Sequence, residues 1–285
     1  MKKLFTSLTL CSIMLTSCAQ SSAQPVFVYS GDYNKNRDSG LSLKSDIPVD
    51  FVPEDYKIVS IGDSLTQGVG DSTKRGGYLP YLEEHLEKEK GVKDAQFLNF
   101  GVSGNRTSQL LKRLDKDEVK EAIGNTDMVI ITIGGNDIMK VVRENFTTLD
   151  LSDFDKQRKV YEQNLISILD LIRAENPQTT IILVGLYNPF SKWFANVKEL
   201  DMIMEGWNEK SKAILSMYEE TYFVDIAETF KTTEENLLYK DYFHPNDKGY
   251  ELMALKVYEI LRKQALPTLS ETKYALRKEE NYYNE

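Results

Sequence analysis

The chain has 285 residues, 41% of them hydrophobic and 28% charged, which is typical of a soluble globular protein with a substantial core. Its formal net charge is −9 at pH 7, and no cluster of lysine and arginine stands out. These properties exclude a general nucleic-acid-binding protein. Length alone allows one large domain or two small ones.

Residues 1–18 have the pattern of a secretion signal. Lys2 and Lys3 supply positive charge, and residues 4–15 are mostly apolar but too few to span a bilayer. The sequence Leu-Thr-Ser-Cys that ends at Cys18 resembles a bacterial lipoprotein box, in which cleavage precedes the cysteine. By this resemblance Cys18 becomes a diacylated N-terminus, and two acyl chains hold a protein stably on a membrane. We therefore expect an extracytoplasmic protein anchored to the bacterial cell membrane, with an ordinary secreted protein as the alternative.

Residues 19–55 are predicted to form a flexible tether. They are rich in Ser, Asp, Asn and Gly, so they bury too little apolar surface to offset the entropy of ordering. The only other cysteine, Cys11, lies in the segment that is expected to be removed. No disulfide is then predicted in the mature chain, so its core must hold it together.

Five apolar runs after the tether predict β-strands that alternate with helix-length segments. The runs are 57–61, 95–100, 127–133, 179–186 and 222–226. This alternation implies right-handed crossovers and a parallel sheet covered on both faces. We predict a doubly wound, three-layer α/β/α domain over residues 56–265.

Two helices are clear from the sequence. Apolar residues recur at helical spacing within 153–175, and a last helix begins after Asn246, a good N-cap residue. Residues 266–285 are polar and charged and are predicted to form a solvated C-terminal extension.

A polar turn follows the first predicted strand and contains Ser64, in the sequence Gly-Asp-Ser-Leu at 62–65. Open α/β sheets bind ligands at the carboxyl ends of their strands, so this serine is exposed to whatever enters the cleft. Ser64 is therefore a candidate nucleophile. The alternative is that it only caps the following helix.

The chain contains only two histidines. His85 lies in the charged segment 81–90, which predicts a solvated helix face. His244 follows Asp241 by three positions, so one short turn carries both side chains, and the carboxylate can accept from Nδ1 while Nε2 stays free. An Asp-x-x-His turn is also compatible with an ordinary capped turn or with a metal site, but no cysteine or second histidine accompanies it as a metal ligand. His244 is the candidate base, and no metal is predicted.

Two further segments place hydrogen-bond donors near the serine. The sequence Gly-Gly-Asn-Asp at 134–137 follows the most apolar predicted strand, so the Asn136 amide can donate to an oxyanion there, although an Asx turn is the alternative. Gly104 offers a backbone N–H, or else a tight turn that needs positive φ. Gly101 lies in the same segment, and the choice between the two glycines stays open.

Four separated blocks together resemble the GDSL, or SGNH, hydrolases, a family of serine esterases, lipases and acylhydrolases. They are 62–65, 99–105, 134–137 and 241–245, in the order of the family, and they extend over roughly 57–264. The resemblance implies a flavodoxin-like hydrolase fold without metal or other cofactor. It implies Ser64 as nucleophile, His244 as base and Asp241 as the group that orients it. The oxyanion donors would be the N–H groups of Ser64 and Gly104 and the Asn136 side chain.

The substrate is left open among short-chain acyl esters, lipids or lysolipids, and O-acetyl groups on envelope sugars. Candidate pocket-lining residues are Tyr187, Phe190 and Trp193, although these aromatic residues could equally pack the loop down, and segment 138–149 is a further candidate. The alternative function is a tethered carbohydrate- or lipid-binding module without turnover. A flavin or nucleotide binder is a third hypothesis, which the missing Gly-x-Gly-x-x-Gly and Walker patterns disfavour.

Overall fold

The computed structural model describes residues 52–145, 147–148, 150–191 and 197–283, with side chains to residue 277. The predicted signal segment with Cys18, and most of the predicted tether, lie outside these residues. The first strand begins at Glu54, inside the range predicted for the tether. Within the described part of the chain, no helix is long and apolar enough to cross a membrane.

Five parallel strands form the central sheet, and each overlaps one predicted run. They are β1 (Glu54–Gly62), β2 (Val92–Gly101), β3 (Met128–Thr132), β4 (Thr180–Val184) and β5 (Thr221–Val224). Their spatial order is β2-β1-β3-β4-β5, so the chain reverses direction across the sheet between β1 and β3. Ligands bind at such a switch point, beyond the carboxyl ends of the strands. The doubly wound parallel fold is thus confirmed.

Helices cover both faces of this sheet in the described residues. In chain order they are α1 (Ser64–Gln67), α2 (Leu79–Leu86), α3 (Thr107–Leu114), α4 (Asp117–Gly124), α5 (Gly135–Glu144), α6 (Leu151–Glu175), α7 (Lys198–Leu215), α8 (Ala227–Thr232), α9 (Asp247–Ile260) and α10 (Leu266–Tyr283). Because strand side chains alternate between faces, neighbouring residues of β3 enter different cores. Ile130 packs with α2, α8 and α9, whereas Val129 packs with α3 to α7. The result is the predicted three-layer arrangement.

The last predicted helix begins as its sequence indicates. The Asn246 side chain accepts from the N–H of Gly249 at 2.9 Å, which satisfies one of the free amides at the start of α9. This cap matters for function because it fixes the helix that directly follows the Asp241–His244 turn.

Composition predicts a solvated extension over residues 266–285, but the start of this segment is buried. A π-helical turn, Leu261–Ala265, joins α9 to α10, whose first turns pack on the domain. Leu266 and Leu269 are buried, and the Ser270 hydroxyl lies 3.0 Å from the hydroxyl of Tyr56 in β1. The apolar face of α10 is short and most residues around it are polar, so its burial is not recognisable from the composition of the segment.

Candidate active site

The nucleophile turn is fixed by the residue before the serine. Asp63 caps α1 by accepting from the N–H of Leu65 at 3.0 Å, and it also accepts from the Thr132 hydroxyl at 2.9 Å. Gly62 leaves no room for a side chain, since a Cβ there would lie 2.0 Å from the carbonyl oxygen of Thr132. Asp63 and not Ser64 is therefore the helix cap, and the Ser64 hydroxyl is left for another partner.

Ser64, His244 and Asp241 form one chain of hydrogen bonds. The Ser64 Oγ lies 2.9 Å from Nε2 of His244, and Nδ1 of the same ring lies 2.7 Å from Oδ2 of Asp241. The other carboxylate oxygen of Asp241 accepts from the N–H groups of Phe243 and His244, each at 3.0 Å. One short turn carries both the carboxylate and the imidazole. In this geometry the imidazole can take the serine proton.

The electrostatics of Asp241 suit the orienting role. Partial burial alone would raise its pKa, but hydrogen bonds from the His244 ring and from the N–H groups of His244 and Phe243 outweigh burial and lower the pKa below its usual value. The carboxylate therefore stays ionised at neutral pH. An ionised Asp241 holds the proton on Nδ1 and would stabilise an imidazolium.

The turn that carries His244 is held from outside by backbone contacts. The Tyr187 hydroxyl donates to the carbonyl oxygen of Phe243 at 2.6 Å, and the Tyr187 ring stacks on Phe230 with centroids 3.9 Å apart. The N–H of Tyr239 donates to the carbonyl oxygen of His244 at 2.8 Å. These contacts limit rotation of the turn and so fix the imidazole relative to the serine.

The structure distinguishes between the two glycines that the sequence left open. The Gly101 N–H donates to Oδ1 of Asn99 at 2.8 Å, and a Cβ on Gly101 would lie 2.1 Å from the amide nitrogen of Gln67. Gly101 thus serves close packing of β2 against α1. Gly104 has a φ of +77° and is exposed in a turn. In this turn the Asn105 N–H donates to the carbonyl oxygen of Val102 at 3.2 Å. Of the two, Gly104 has the available amide.

Asn136 lies in the first turn of α5 and is buried, and it lines the same cleft as Ser64. Its Nδ2 donates to the carbonyl oxygen of Asn105 at 3.1 Å, which connects it to the Gly104 turn. The N–H of Val102 donates to the carbonyl oxygen of Gly62 at 3.0 Å and connects the same turn to β1. The three predicted donor segments are therefore joined to one another.

A mostly apolar cleft opens beside Ser64 and Asn136. Its walls include Ile133, Met139, Val184, Leu186, Met204 and Phe243. Of the candidate pocket residues, Tyr187 also lines it, and Met139 is the one lining residue among the described residues of segment 138–149. Phe190 is not among the lining residues, but its ring centroid lies 6.4 Å from that of Phe243. Trp193 falls outside the described residues.

Other titratable residues have roles away from the reacting atoms. His85 stacks on Tyr258 of α9, with ring centroids 4.9 Å apart, and forms no part of the triad. Asp137, next to Asn136, accepts from the Thr107 N–H at 2.9 Å and from its hydroxyl at 2.7 Å, which ties α5 to α3. Within the described residues no group of three or more His, Cys, Asp or Glu side chains is arranged to hold a metal ion.

Several residues that shape the site have no recognisable signal in the sequence. Asp71 accepts from the backbone N–H groups of Thr73, Arg75, Gly76 and Gly77 and so orders the loop after α1. Met204 reaches the cleft from α7, far along the chain from Ser64. Apolar spacing places Met204 on a helix face but does not reveal the cavity that this face meets.

Known proteins share both the sequence and the fold. The model of a family described as GDSL-like lipase/acylhydrolase matches residues 60–252. The uncharacterised protein YpmR of Bacillus subtilis is 35% identical over 216 residues, which are 75% of this chain and 84% of that protein. The spore germination lipase LipC of Bacillus licheniformis is 26% identical over 209 residues, which are 70% of this chain and 92% of LipC.

Solved structures have a similar fold. The lipase Lip_vut3 from a goat rumen metagenome superposes with a TM-score of 0.63 at 25% identity and covers 71% of this chain and 95% of its own. A catalytic mutant of the acetylxylan esterase Axe2 from Geobacillus stearothermophilus gives a TM-score of 0.53 at 22% identity, covers 74% and 94%, and shows the shared fold alone. The chain thus belongs to the GDSL-like lipase/acylhydrolase family and is a serine ester hydrolase.

Proposed function

We propose that the protein cleaves carboxylic esters through an acyl-enzyme on Ser64 and that the acyl group is an apolar chain. One observation carries the proposal: the hydrogen-bonded chain of Ser64, His244 and Asp241 ends at the wall of an apolar cleft. An oriented imidazole next to a serine hydroxyl can accept the hydroxyl proton and so activates the serine as a nucleophile. The cleft next to it is suited to the part of the substrate that stays on the enzyme.

The first half of the reaction forms the acyl-enzyme. Ser64 Oγ attacks the ester carbonyl while Nε2 of His244 takes the serine proton. The oxyanion accepts from the Ser64 N–H, the Gly104 N–H and the Asn136 side chain. Ser64 is the first residue of α1, so its N–H has no acceptor within the helix and is available. His244 then gives the proton to the departing alcohol.

The second half returns the enzyme to its starting state. A water molecule attacks the acyl carbonyl as Nε2 of His244 takes its proton, and the same donors hold the second oxyanion. Collapse expels the carboxylic acid, and the proton returns to Ser64 Oγ. Asp241 stays ionised throughout, because hydrogen bonds keep its pKa low, and it stabilises each imidazolium.

The cleft favours an acyl chain longer than acetyl. Beyond Asn136 its walls are the side chains of Met139, Leu186 and Met204, which offer methylene groups an apolar surface. Each buried methylene contributes about 0.8 kcal/mol, which corresponds to roughly fourfold in kcat/KM. Lipase names among the relatives agree with this preference, whereas the acetylxylan esterase shares only the fold.

A p-nitrophenyl ester series from acetate to octanoate tests the proposal, with the chain lacking residues 1–18 and Ser64→Ala as its control. We expect kcat/KM to rise about fourfold per methylene over the first members of the series. Activity that is highest on acetate and falls with length would instead favour deacetylation. A folded protein with no Ser64-dependent activity on any ester would favour the non-catalytic binding module.

We also propose that the enzyme works outside the cytoplasm on a lipid anchor at Cys18. The support is the sequence of residues 1–18, which combines a charged start, a short apolar run and a lipoprotein-like box. Expression with labelled palmitate tests it. Label is expected in the full chain and not in Cys18→Ser, and equal labelling of both would contradict the anchor.

A further inference from the structure

Arg113, in α3, is a half-buried cation whose hydrogen-bond acceptors in the described structure include no carboxylate. Its guanidinium donates to the carbonyl oxygen of Gly62 at 3.2 Å, to Oδ1 of Asn105 at 3.2 Å and to the carbonyl oxygen of Phe100. Such acceptors satisfy the donors of the guanidinium without cancelling its charge, which the carboxylate of Glu118 offsets only through space. Burial lowers the pKa of Arg113, yet a guanidinium remains protonated at neutral pH.

The three acceptors belong to the segments that carry the oxyanion donors. Gly62 ends β1, directly before the turn with Ser64. Phe100 and Asn105 lie on either side of the Gly104 turn. The backbone carbonyl of Asn105 in turn accepts from Nδ2 of Asn136 at 3.1 Å. Arg113 therefore contacts the Ser64 and Gly104 segments directly and the Asn136 side chain through one residue.

We propose that Arg113 is a positioning residue for the oxyanion hole. Its hydrogen bonds fix the Ser64, Gly104 and Asn136 donors relative to one another, and it keeps a positive charge next to the segments that carry these donors. Preorganised donors and fixed charge lower the barrier because they need no rearrangement as the oxyanion forms. The inference rests on the proposed acyl-enzyme mechanism.

The chain offers a matched control at the opposite edge of the sheet. Arg173, near the end of α6, is also half-buried and also donates to backbone carbonyls, those of Thr179, Glu219 and Glu220. Its acceptors precede β4 and β5, at the amino ends of the strands. Loss of Arg173 should therefore reproduce the structural cost of losing Arg113 without affecting the reacting centre.

The experiment compares Arg113→Gln, Arg113→Lys and Arg173→Gln with the unaltered protein and with Ser64→Ala. It measures kcat and KM on p-nitrophenyl butyrate, the melting temperature, and the inhibition constant of phenylboronic acid, which forms a tetrahedral adduct on a reactive serine. We expect Arg113→Gln to lower kcat about tenfold and to change KM less than about twofold. The inhibition constant of phenylboronic acid should rise by about the same factor as kcat falls. Arg113→Lys keeps the charge but cannot reach three acceptors, so its kcat and inhibition should lie between these values.

Two results would overturn the positioning role of Arg113. One is a folded Arg113→Gln protein with unaltered kcat and inhibition. The other is an equal loss of kcat in Arg113→Gln and Arg173→Gln, which would reduce Arg113 to a structural residue. Should Arg113→Gln not fold, unaltered kcat and inhibition in Arg113→Lys would equally refute the role. Ester hydrolysis that persists in Ser64→Ala would refute the proposed acyl-enzyme mechanism itself. If Ser64→Ala is inactive, the mechanism stands, and the Arg113 variants then test only the positioning role.

Discussion

The substitution Asp63→Asn should change how stability depends on pH. Asp63 is buried directly before the nucleophile, and desolvation by this burial raises its pKa from 3.8 to about 7, despite hydrogen bonds from Leu65 and Thr132. Between these two pH values the Asp63 carboxyl is therefore protonated in the native state but ionised in the unfolded chain. Because the native state holds more protons there, the contribution of Asp63 to stability is fully present below pH 3.8 and is lost as pH rises toward 7.

The expected magnitude follows from the size of the pKa shift. A difference of one pKa unit corresponds to about 1.4 kcal/mol, so the full shift of Asp63 corresponds to about 4 kcal/mol, of which about 2 to 3 kcal/mol falls between pH 5 and 8. Asparagine keeps an oxygen that accepts from Leu65 and Thr132, but it does not titrate. The stability of Asp63→Asn relative to the unaltered protein should therefore rise over this range.

Urea unfolding at pH 5, 6, 7 and 8 measures this difference. Asp71→Asn is the control, because hydrogen bonds outweigh the opposing effect of burial and lower the pKa of Asp71, so its contribution is lost only as pH falls below 3.8. It should shift stability by a similar amount at every pH from 5 to 8. Parallel pH profiles for Asp63→Asn and the unaltered protein would show that Asp63 is ionised in the native state and would refute the reasoning.

Three predictions concern turnover of p-nitrophenyl butyrate. Asn136→Ala should lower kcat about 10²- to 10³-fold without loss of far-UV circular dichroism, and unaltered kcat would remove Asn136 from the oxyanion hole. His244→Ala should lower kcat about 10⁴-fold or more while His85→Ala changes it less than about twofold, and equal losses would contradict the choice of base. Tyr187→Phe removes the hydrogen bond to the catalytic turn and should lower kcat about three- to tenfold with little change in KM. Tyr56→Phe, which loses a buried hydrogen bond away from the site, is its control and should leave kcat unchanged; the same kcat in both variants would refute the role of Tyr187.

The sequence predicts the fold and the reacting residues because both depend on local patterns. Short apolar runs followed by polar turns locate strand ends, and parallel strands bring their carboxyl ends to one edge. Ser64 and Asn136 therefore line one cleft although they follow different strands. His244 and Asp241 share one turn, so their spacing alone sets the contact between them.

The supporting contacts could not be predicted, since they join residues that are distant in sequence. Arg113 follows a lysine in an amphipathic helix and resembles a solvated charge until the carbonyls of β1 and β2 are in place. Gly101 and Gly104 look equivalent until Gln67 packs against the first of them. The apolar face of α10 is short, and its partner Tyr56 lies near the other end of the domain sequence.

The most direct test of the mechanism is to trap the nucleophile with a fluorophosphonate ester and to locate the adduct by mass spectrometry. We expect one adduct, on the peptide that contains Ser64, with none on Ser64→Ala and much slower labelling of His244→Ala. Labelling of His85→Ala should match that of the unaltered protein. An adduct on a different residue, or labelling of His244→Ala at the unaltered rate, would contradict a serine activated by His244.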